Sequence, residues 1–391
     1  MTGKSTALFV SFLKYLLLVI IVFHCDSCNR AISSATVYRT ADDAALLAFQ
    51  EHLKQVKENE VPGIDAWFKR MHRRADFSGS VLMAERGHII YEKSFGLANR
   101  RENDTLTLDH AFQLASVSKP ITALAVLMLK DQGRLHLDDT LQQYFPNFPY
   151  EGITVRMLLS HRSGLPNYMY FAEKYWPNRH NPITNEDVLC MLEQFEPNRY
   201  YIPDYRYNYC NTNYAMLALL VKRVSGRPFH EFVETEVFKP LNMQTARVYD
   251  NVRQPEIINP TTGYERRRAV RDSYLNGVSG DKNIYASVHD LLKLDQALYN
   301  NTLIKRSTLE EALLPHHKDL YLHDNYGLGW RLNIRPDCSK VVYHTGWWKG
   351  YRTFFVRLPD EEKTAIVLSN TNRGRFISTR KLVEFLQYNP A

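Results

Sequence analysis

Cysteine is scarce in this chain, at 5 in 391 residues, which excludes a small scaffold held together by disulfides. Cys190, Cys210 and Cys338 lie deep in the chain at spacings that match no metal motif. They read as small buried apolar residues, and neither a metal nor a cofactor is expected. Long apolar runs are missing too. The longest, residues 7–23, is broken by Lys14, and its uninterrupted part, residues 15–23, falls short of the about 20 residues that an ordinary membrane-spanning helix needs. Internal repeats and low-complexity linkers are absent. Charge of one sign is not in large excess: 49 Lys+Arg against 42 Asp+Glu leaves +7, which permits an anionic partner without demanding one. What is present is ordinary for a folded protein, with 45% apolar and 23% charged residues. The length exceeds what one hydrophobic core usually reaches, so two lobes are expected.

Lys4 followed by the short apolar run fits an export signal better than a spanning helix. Cys25 and Cys28 follow it, and the small Ser27 makes Cys28 the better candidate for cleavage and lipidation. A plain export signal and an uncleaved anchor remain open as alternatives. Each places the bulk of the protein outside the cytoplasm, periplasmic or associated with the cell envelope, with a membrane tether through the N-terminus as an option. The expected organisation is a targeting segment at 1–27, a polar lead-in at 28–60 with a short helix at 42–56, and a catalytic domain at 61–391.

Within that domain, residues 77–84, a turn at Arg86-Gly87 and residues 88–95 read as a β-hairpin. Helical periodicity begins at Ser116 and recurs at 155–160, 213–224 and 288–299. Strands are expected at 329–334, 341–344, 353–358 and 364–369, then a last helix at 378–386. Sheet elements thus come from both ends of the chain and helices from its middle. This pattern suits two interlocked lobes with a cleft between them.

Three places carry chemistry. In Ser116-Val-Ser-Lys119 the i,i+3 spacing puts the lysine one helical turn from the serine hydroxyl. A neighbouring ammonium lowers the cost of the alkoxide and can relay its proton. The same spacing at Ser11 and Lys14, inside the targeting segment, carries no meaning, and Ser118 is out of phase and reads as structural. Tyr209-Cys-Asn211 stands just before a helix. A phenol near a lysine ammonium has reason to lower its pKa and act as general base, while the Asn amide can orient the lysine and the substrate. Tyr274 and Tyr299 begin similar triplets without that setting. His344-Thr-Gly346 follows an expected strand. There a glycine lets backbone approach a ligand, and the N–H of Trp347 can pair with that of Ser116 as oxyanion donors.

Taken together and in this order, the three segments resemble the serine β-lactamase and penicillin-binding protein superfamily, in its class C-like branch. That branch holds class C β-lactamases, D-Ala-D-Ala carboxypeptidases, D-amino-acid peptidases and family VIII esterases. Supporting matches are Phe77-Ser-Gly-Ser-Val-Leu82 with Gly96, Leu158-Leu-Ser-His-Arg-Ser-Gly-Leu-Pro166, Gly280-Asp-Lys-Asn-Ile-Tyr285, Tyr326-Gly-Leu-Gly-Trp330 and Gly350-Tyr351. The resemblance spans about residues 60–388. It implies an α+β, β-lactamase/transpeptidase-like fold: an antiparallel sheet flanked by helices, with an all-helical lobe at about 113–260 inserted. It implies Ser116 as acylated nucleophile, Lys119 as its proton relay, Tyr209 as general base and Asn211 as a positioning group. The oxyanion hole would be the Ser116 and Trp347 N–H groups, with His344, Thr345 and Gly346 binding substrate.

The implied protein is an exported serine hydrolase acting on a small-molecule or peptide ester or amide. His344 stands where class C β-lactamases usually carry lysine. A largely neutral imidazole favours an esterase or D-amino-acid/peptide amidase over a β-lactamase or D-Ala-D-Ala carboxypeptidase. A non-catalytic envelope sensor is the reading of another class, and an intact Ser116, Lys119 and Tyr209 argue against it. Cys210 reads as a packing substitution and His161 as a loop-packing residue. Trp347, Trp348 and Tyr351 are candidates to line the cleft. The basic run Arg266–Arg268 with Arg271 reads as a solvated loop, with attraction to anionic envelope polymers as the alternative. No nucleic-acid fold signature accompanies it, and the oligomeric state is not legible.

Overall fold

The computed structural model describes residues 62–317, 324–372 and 377–387. The expected targeting segment, the lead-in, Cys25 and Cys28 lie outside them. A seven-stranded antiparallel sheet organises the fold. Its strands are β1 (Gly79–Glu85), β2 (His88–Phe95), β3 (Asn325–Tyr326), β4 (Arg331–Ile334), β5 (Lys340–Trp348), β6 (Tyr351–Leu358) and β7 (Lys363–Ser369). They lie in the order β3-β4-β5-β6-β7-β1-β2. The first hairpin of the domain therefore pairs with its last strand, Leu82 opposite Ile366, and the intervening helices are threaded between the two halves of one sheet.

Ten α-helices are present among the described residues: α1 (Pro62–Ala75), α2 (Ser118–Asp131), α3 (Val155–Leu159), α4 (Tyr168–Tyr175), α5 (Asn185–Phe195), α6 (Asn211–Ser225), α7 (Phe229–Val233), α8 (Val288–Tyr299), α9 (Arg306–Ala312) and α10 (Thr379–Leu386). Local chemistry sets their ends. Thr184 and Asp187 form a capping box on α5, Ser287 and Ser378 cap α8 and α10, and Gly226 closes α6 in the left-handed region.

Strand alternation divides the core into two layers. Val81, Met83, Val356, Ala365 and Val367 point to one face, where Ile64 and Phe68 of α1 and Leu382 and Leu386 of α10 cover them. Leu82, Phe355, Ile366 and Leu368 point to the other and join the helices. Every residue of α2 from Ser118 to Leu129 is buried. It is thus a central helix, buried on every side. The expected burial of Cys190 and Cys338 is not met, since both are exposed.

A fully buried ion pair joins α8 to the sheet. Arg357 of β6 donates through Nε to Asp295 of α8 at 2.5 Å, with both side chains 1% exposed. Removing one partner strands a buried charge, so Asp295→Ala is expected to lower the unfolding free energy by about 3–5 kcal/mol, and Asp295→Leu with Arg357→Met to recover most of that. Urea unfolding of the three proteins checks this. An alanine variant within about 1 kcal/mol of the parent, on the order of a surface pair, would mean that the contact is not structural.

Candidate active site

Ser116 sits in a short 3-10 turn, Ala115–Val117, that runs directly into α2. The preceding Ala115 is held at φ 50°, a strained setting for a residue with a Cβ. The i,i+3 relation brings Lys119 Nζ within 3.1 Å of Ser116 Oγ. Lys119 is fully buried and donates also to Asn211 Oδ1 at 2.9 Å and to the Asp281 carbonyl at 2.8 Å. Two fixed carbonyl acceptors leave the third position of the amine facing the serine. When neutral, the amine turns its lone pair there. Burial lowers its pKa to about 8; the Asp281 charge opposes the shift and Arg331 adds to it.

Tyr209 lies in the extended stretch that Cys210 terminates as N-cap of α6. Its ring packs on His161 at 4.4 Å between centroids, and Lys119 Nζ is 5.0 Å from the ring centre. The Ser116 hydroxyl donates to its oxygen, yet burial outweighs that bond and pushes the phenol up to about 12. The depressed phenol expected beside a lysine is therefore corrected: desolvation wins, and Lys119 is the group that titrates nearest neutrality. His161, expected as loop packing, supports this corner directly. Its Nδ1 accepts from the Cys210 N–H and from the Asn213 amide, each at 3.1 Å. Cys210 is buried with its thiol toward the Leu165 carbonyl at 3.4 Å, a packing role. Ser118 accepts from the Ile284 N–H.

His344-Thr-Gly346 is not at the end of its strand. β5 continues through it, with His344 opposite Phe355 and Gly346 opposite Thr353. The pleat turns His344 inward, where it is fully buried. Its Nε2 meets the Tyr326 hydroxyl at 3.1 Å and its Nδ1 the Thr345 carbonyl at 2.9 Å. Burial holds its pKa well below the usual imidazole range. The substrate-binding role expected of His344 is thus corrected to that of a neutral residue behind Tyr209, whereas Thr345, Gly346 and Trp347 do line the cleft. Tyr351 is likewise corrected to a core residue, 4% exposed.

Three further groups escaped sequence reasoning. Arg331 of β4 reaches the cleft with its guanidinium 5.3 Å from the Tyr209 ring centre. No hydrogen bond or ion pair engages it among the described residues. Lys282, nearly fully buried, contacts the Asp281 carboxylate at 3.3 Å and the Tyr168 hydroxyl. That hydroxyl also donates to Asp281 at 3.0 Å. For Lys282 and Asp281 the available signal was only the Gly280–Tyr285 stretch as a family match. Ser116, Tyr209, Asn211, Lys282, Arg331 and Trp347 all open on one cleft of about 1900 Å³.

Comparison with known proteins bears on the family and the fold. A family model described as Beta-lactamase matches residues 64–387. Penicillin-binding protein 4* of Bacillus subtilis is 35% identical over 329 residues, covering 81% of this chain and 73% of its own. D-aminopeptidase of Brucella anthropi is 24% identical, over 85% of this chain and 60% of its own. Among solved structures, the octameric penicillin-binding protein homologue from Pyrococcus abyssi superposes with a TM-score of 0.73 at 23% identity, covering 85% of this chain and 78% of its own.

The charges around Lys119 make a pH prediction. With Lys119 as the base for Ser116, only its neutral form could take the serine proton, and fluorophosphonate labelling is then expected to rise with pH through about 8 and level off above it. Asp281 favours the ammonium, so Asp281→Asn moves the rise to lower pH. An unmoved midpoint would show that this carboxylate does not reach Lys119.

Proposed function

The chain belongs to the beta-lactamase family, and from that premise we propose that it is a serine amidase or peptidase for small D-amino-acid amides or peptides ending in a carboxylate. One observation carries the reading. Ser116, the buried low-pKa Lys119 and Tyr209 meet at the floor of a cleft whose wall holds an unpaired Arg331. The name of the D-aminopeptidase relative supports the amide class.

In the proposed reaction Ser116 Oγ attacks the substrate carbonyl carbon while its proton passes to Lys119 Nζ. The oxyanion is met by the Ser116 and Trp347 N–H groups. Collapse breaks the C–N bond, and the proton returns through the Tyr209 hydroxyl to the leaving amine. Water then takes the amine's place, gives its proton to the same pair, and releases the acid and Ser116. Tyr209 thereby shares the general-base work as a conduit, with Lys119 holding the proton. Asn211 fixes Lys119. Arg331 supplies the permanent cation that His344 does not, with geometry suited to a carboxylate. The proposed domain runs from about residue 61 with the helices of 113–260 as an inserted lobe. Export is proposed on the 1–27 segment, with Cys28 as the candidate tether.

Labelling with a fluorophosphonate and a fluorescent penicillin, in wild type and Ser116→Ala, tests the assignment. The expected result is a Ser116-dependent adduct, together with release of amine from D-alanyl peptides. A penicillin adduct that persists, without peptide turnover, would select a penicillin-binding protein, the reading that the Bacillus relative favours. Absence of any Ser116-dependent adduct would overturn both. Arg331→Leu is expected to raise KM about tenfold or more for carboxylate-ended peptides over their C-terminal amides. Gly346→Ala is expected to lose roughly 10²–10³ in kcat by displacing one oxyanion donor, and to unfold at lower urea than the parent because its Cβ would meet the Leu114 carbonyl. Retained turnover would place that donor elsewhere.

A further inference from the structure

The cleft extends well past the chemistry at its floor. One of its walls is a small hairpin, Tyr264–Glu265 paired with Arg268–Ala269, and beside it the last turn of α1 brings Arg74. The base of the hairpin is fixed. Tyr264 N–H donates to the Asn370 carbonyl at 2.8 Å and Val270 N–H to the Gly263 carbonyl at 2.9 Å. A Cβ on Gly263 would lie 2.3 Å from the Lys349 carbonyl, and one on Gly350 would lie 2.4 Å from Tyr264 N. The hairpin is thus pressed onto the turn that continues from Trp347 and Trp348, so its position follows that of the oxyanion strand.

Its tip is built unusually. Arg266 and Arg267 stand at φ 59° and 148°, where Asn and Gly are the ordinary choices for a tight hairpin. Strain of this kind in a sequence that could have used glycine is a pointer to function. Arg74, Arg266 and Arg268 are all exposed and all line the cleft. None of the three meets a carboxylate among the described residues. The acidic side chains lining the same cleft are Glu265, on the hairpin itself, and Asp281, which Lys282 already engages. These three guanidiniums share the cavity with Arg331 and Arg352, and the carboxylate beside them is that of Glu265.

We propose that Arg74, Arg266 and Arg268 form an anion-binding subsite for a second negatively charged group, a carboxylate or a phosphate, on the part of the substrate remote from Ser116. This rests on the amidase reading of the same cleft and adds to it the class of substrate: a chain bearing anions at both ends. Guanidinium forks match carboxylate and phosphate geometry in two-point contacts. Because the three arginines are solvent-facing, their effect is on binding and is weakened by salt.

The test uses the full-length protein and three D-alanyl peptides that differ in the N-terminal cap: acetyl, succinyl or phosphoseryl. Wild type is expected to favour succinyl or phosphoseryl over acetyl through KM, the better of the two naming the anion. In Arg266→Glu/Arg268→Glu the preference is expected to fall roughly tenfold, and in the milder Arg266→Gln/Arg268→Gln by less. Lysine at both positions should restore most of it. In wild type, about 0.5 M NaCl should erode the preference. An equal preference in wild type and the glutamate variant, or none in wild type, overturns the subsite. If no peptide is cleaved while Ser116 still takes a fluorophosphonate, the amidase reading has failed. The subsite then stands or falls on anionic against neutral fluorophosphonate labelling rates in the same variants. Faster anionic labelling that the glutamate variant loses supports it, and equal rates in both proteins overturn it.

Discussion

The site depends on two backbones touching where Gly346 has no side chain. A Cβ there would lie 2.4 Å from the Leu114 carbonyl and 2.3 Å from Thr353 Oγ1, distances that no packing tolerates. The gap is closed by Thr353 Oγ1 donating to that same carbonyl at 2.6 Å. Leu114 N–H is held in turn by the Ile284 carbonyl, and Ile284 N–H by Ser118 Oγ. Strands β5 and β6, the serine turn and the start of α2 are thereby locked through one carbonyl. The strained φ of Ala115 survives because its neighbours on both sides are over-determined.

Given that lock, the electrostatics follow from burial. Lys119, Lys282 and Arg331 converge on a region whose interior carboxylate is Asp281. Lys282 is nearly enclosed and takes up the carboxylate, with Tyr168 completing the cluster. Lys119 receives only the Asp281 backbone carbonyl and the distant field of its side chain, so it relieves its desolvation by giving up its proton more readily. Arg331 can do neither, since a guanidinium does not deprotonate. It keeps its charge and faces the cleft. With the carboxylate taken by Lys282, the region holds a poised amine, a satisfied ammonium and an open arginine.

How far this was legible in the sequence depended on whether a contact is local. The Ser116–Lys119 spacing encodes its own geometry, because one helical turn carries both groups, and the Tyr209–Asn211 stretch likewise carries its own N-cap. The hairpin of β1 and β2 and the bounds of α8 were legible for the same reason. Arg331 was not, because nothing in its strand signals the ring of Tyr209, 122 residues earlier in number (331 − 209). The Tyr168–Asp281 bond joins positions 113 apart. The pKa of Tyr209 was misread because a neighbouring ammonium is visible in sequence and burial is not. His344 was misplaced by ending a strand at a glycine that in fact sits within the ladder.

That misplacement bears on what a histidine does in the third motif. Read along the chain, His for Lys looks like the loss of a cation. On the proposed reading it is a transfer across the sheet: Arg331 is paired in register with Tyr343, next to His344, and its side chain opens on the cleft. The transfer has a consequence for the base. His344 is already held neutral by burial and by the fields of Arg331 and Lys119. A lysine buried at that position would add a second charge to the pocket that lowers Lys119 to about 8, depressing it further or losing its own proton. A neutral imidazole at 344, bonded to Tyr326, keeps the inner face of the strand uncharged, so that Lys119 alone titrates near neutrality and the fixed cation stands where an anionic substrate end can reach it.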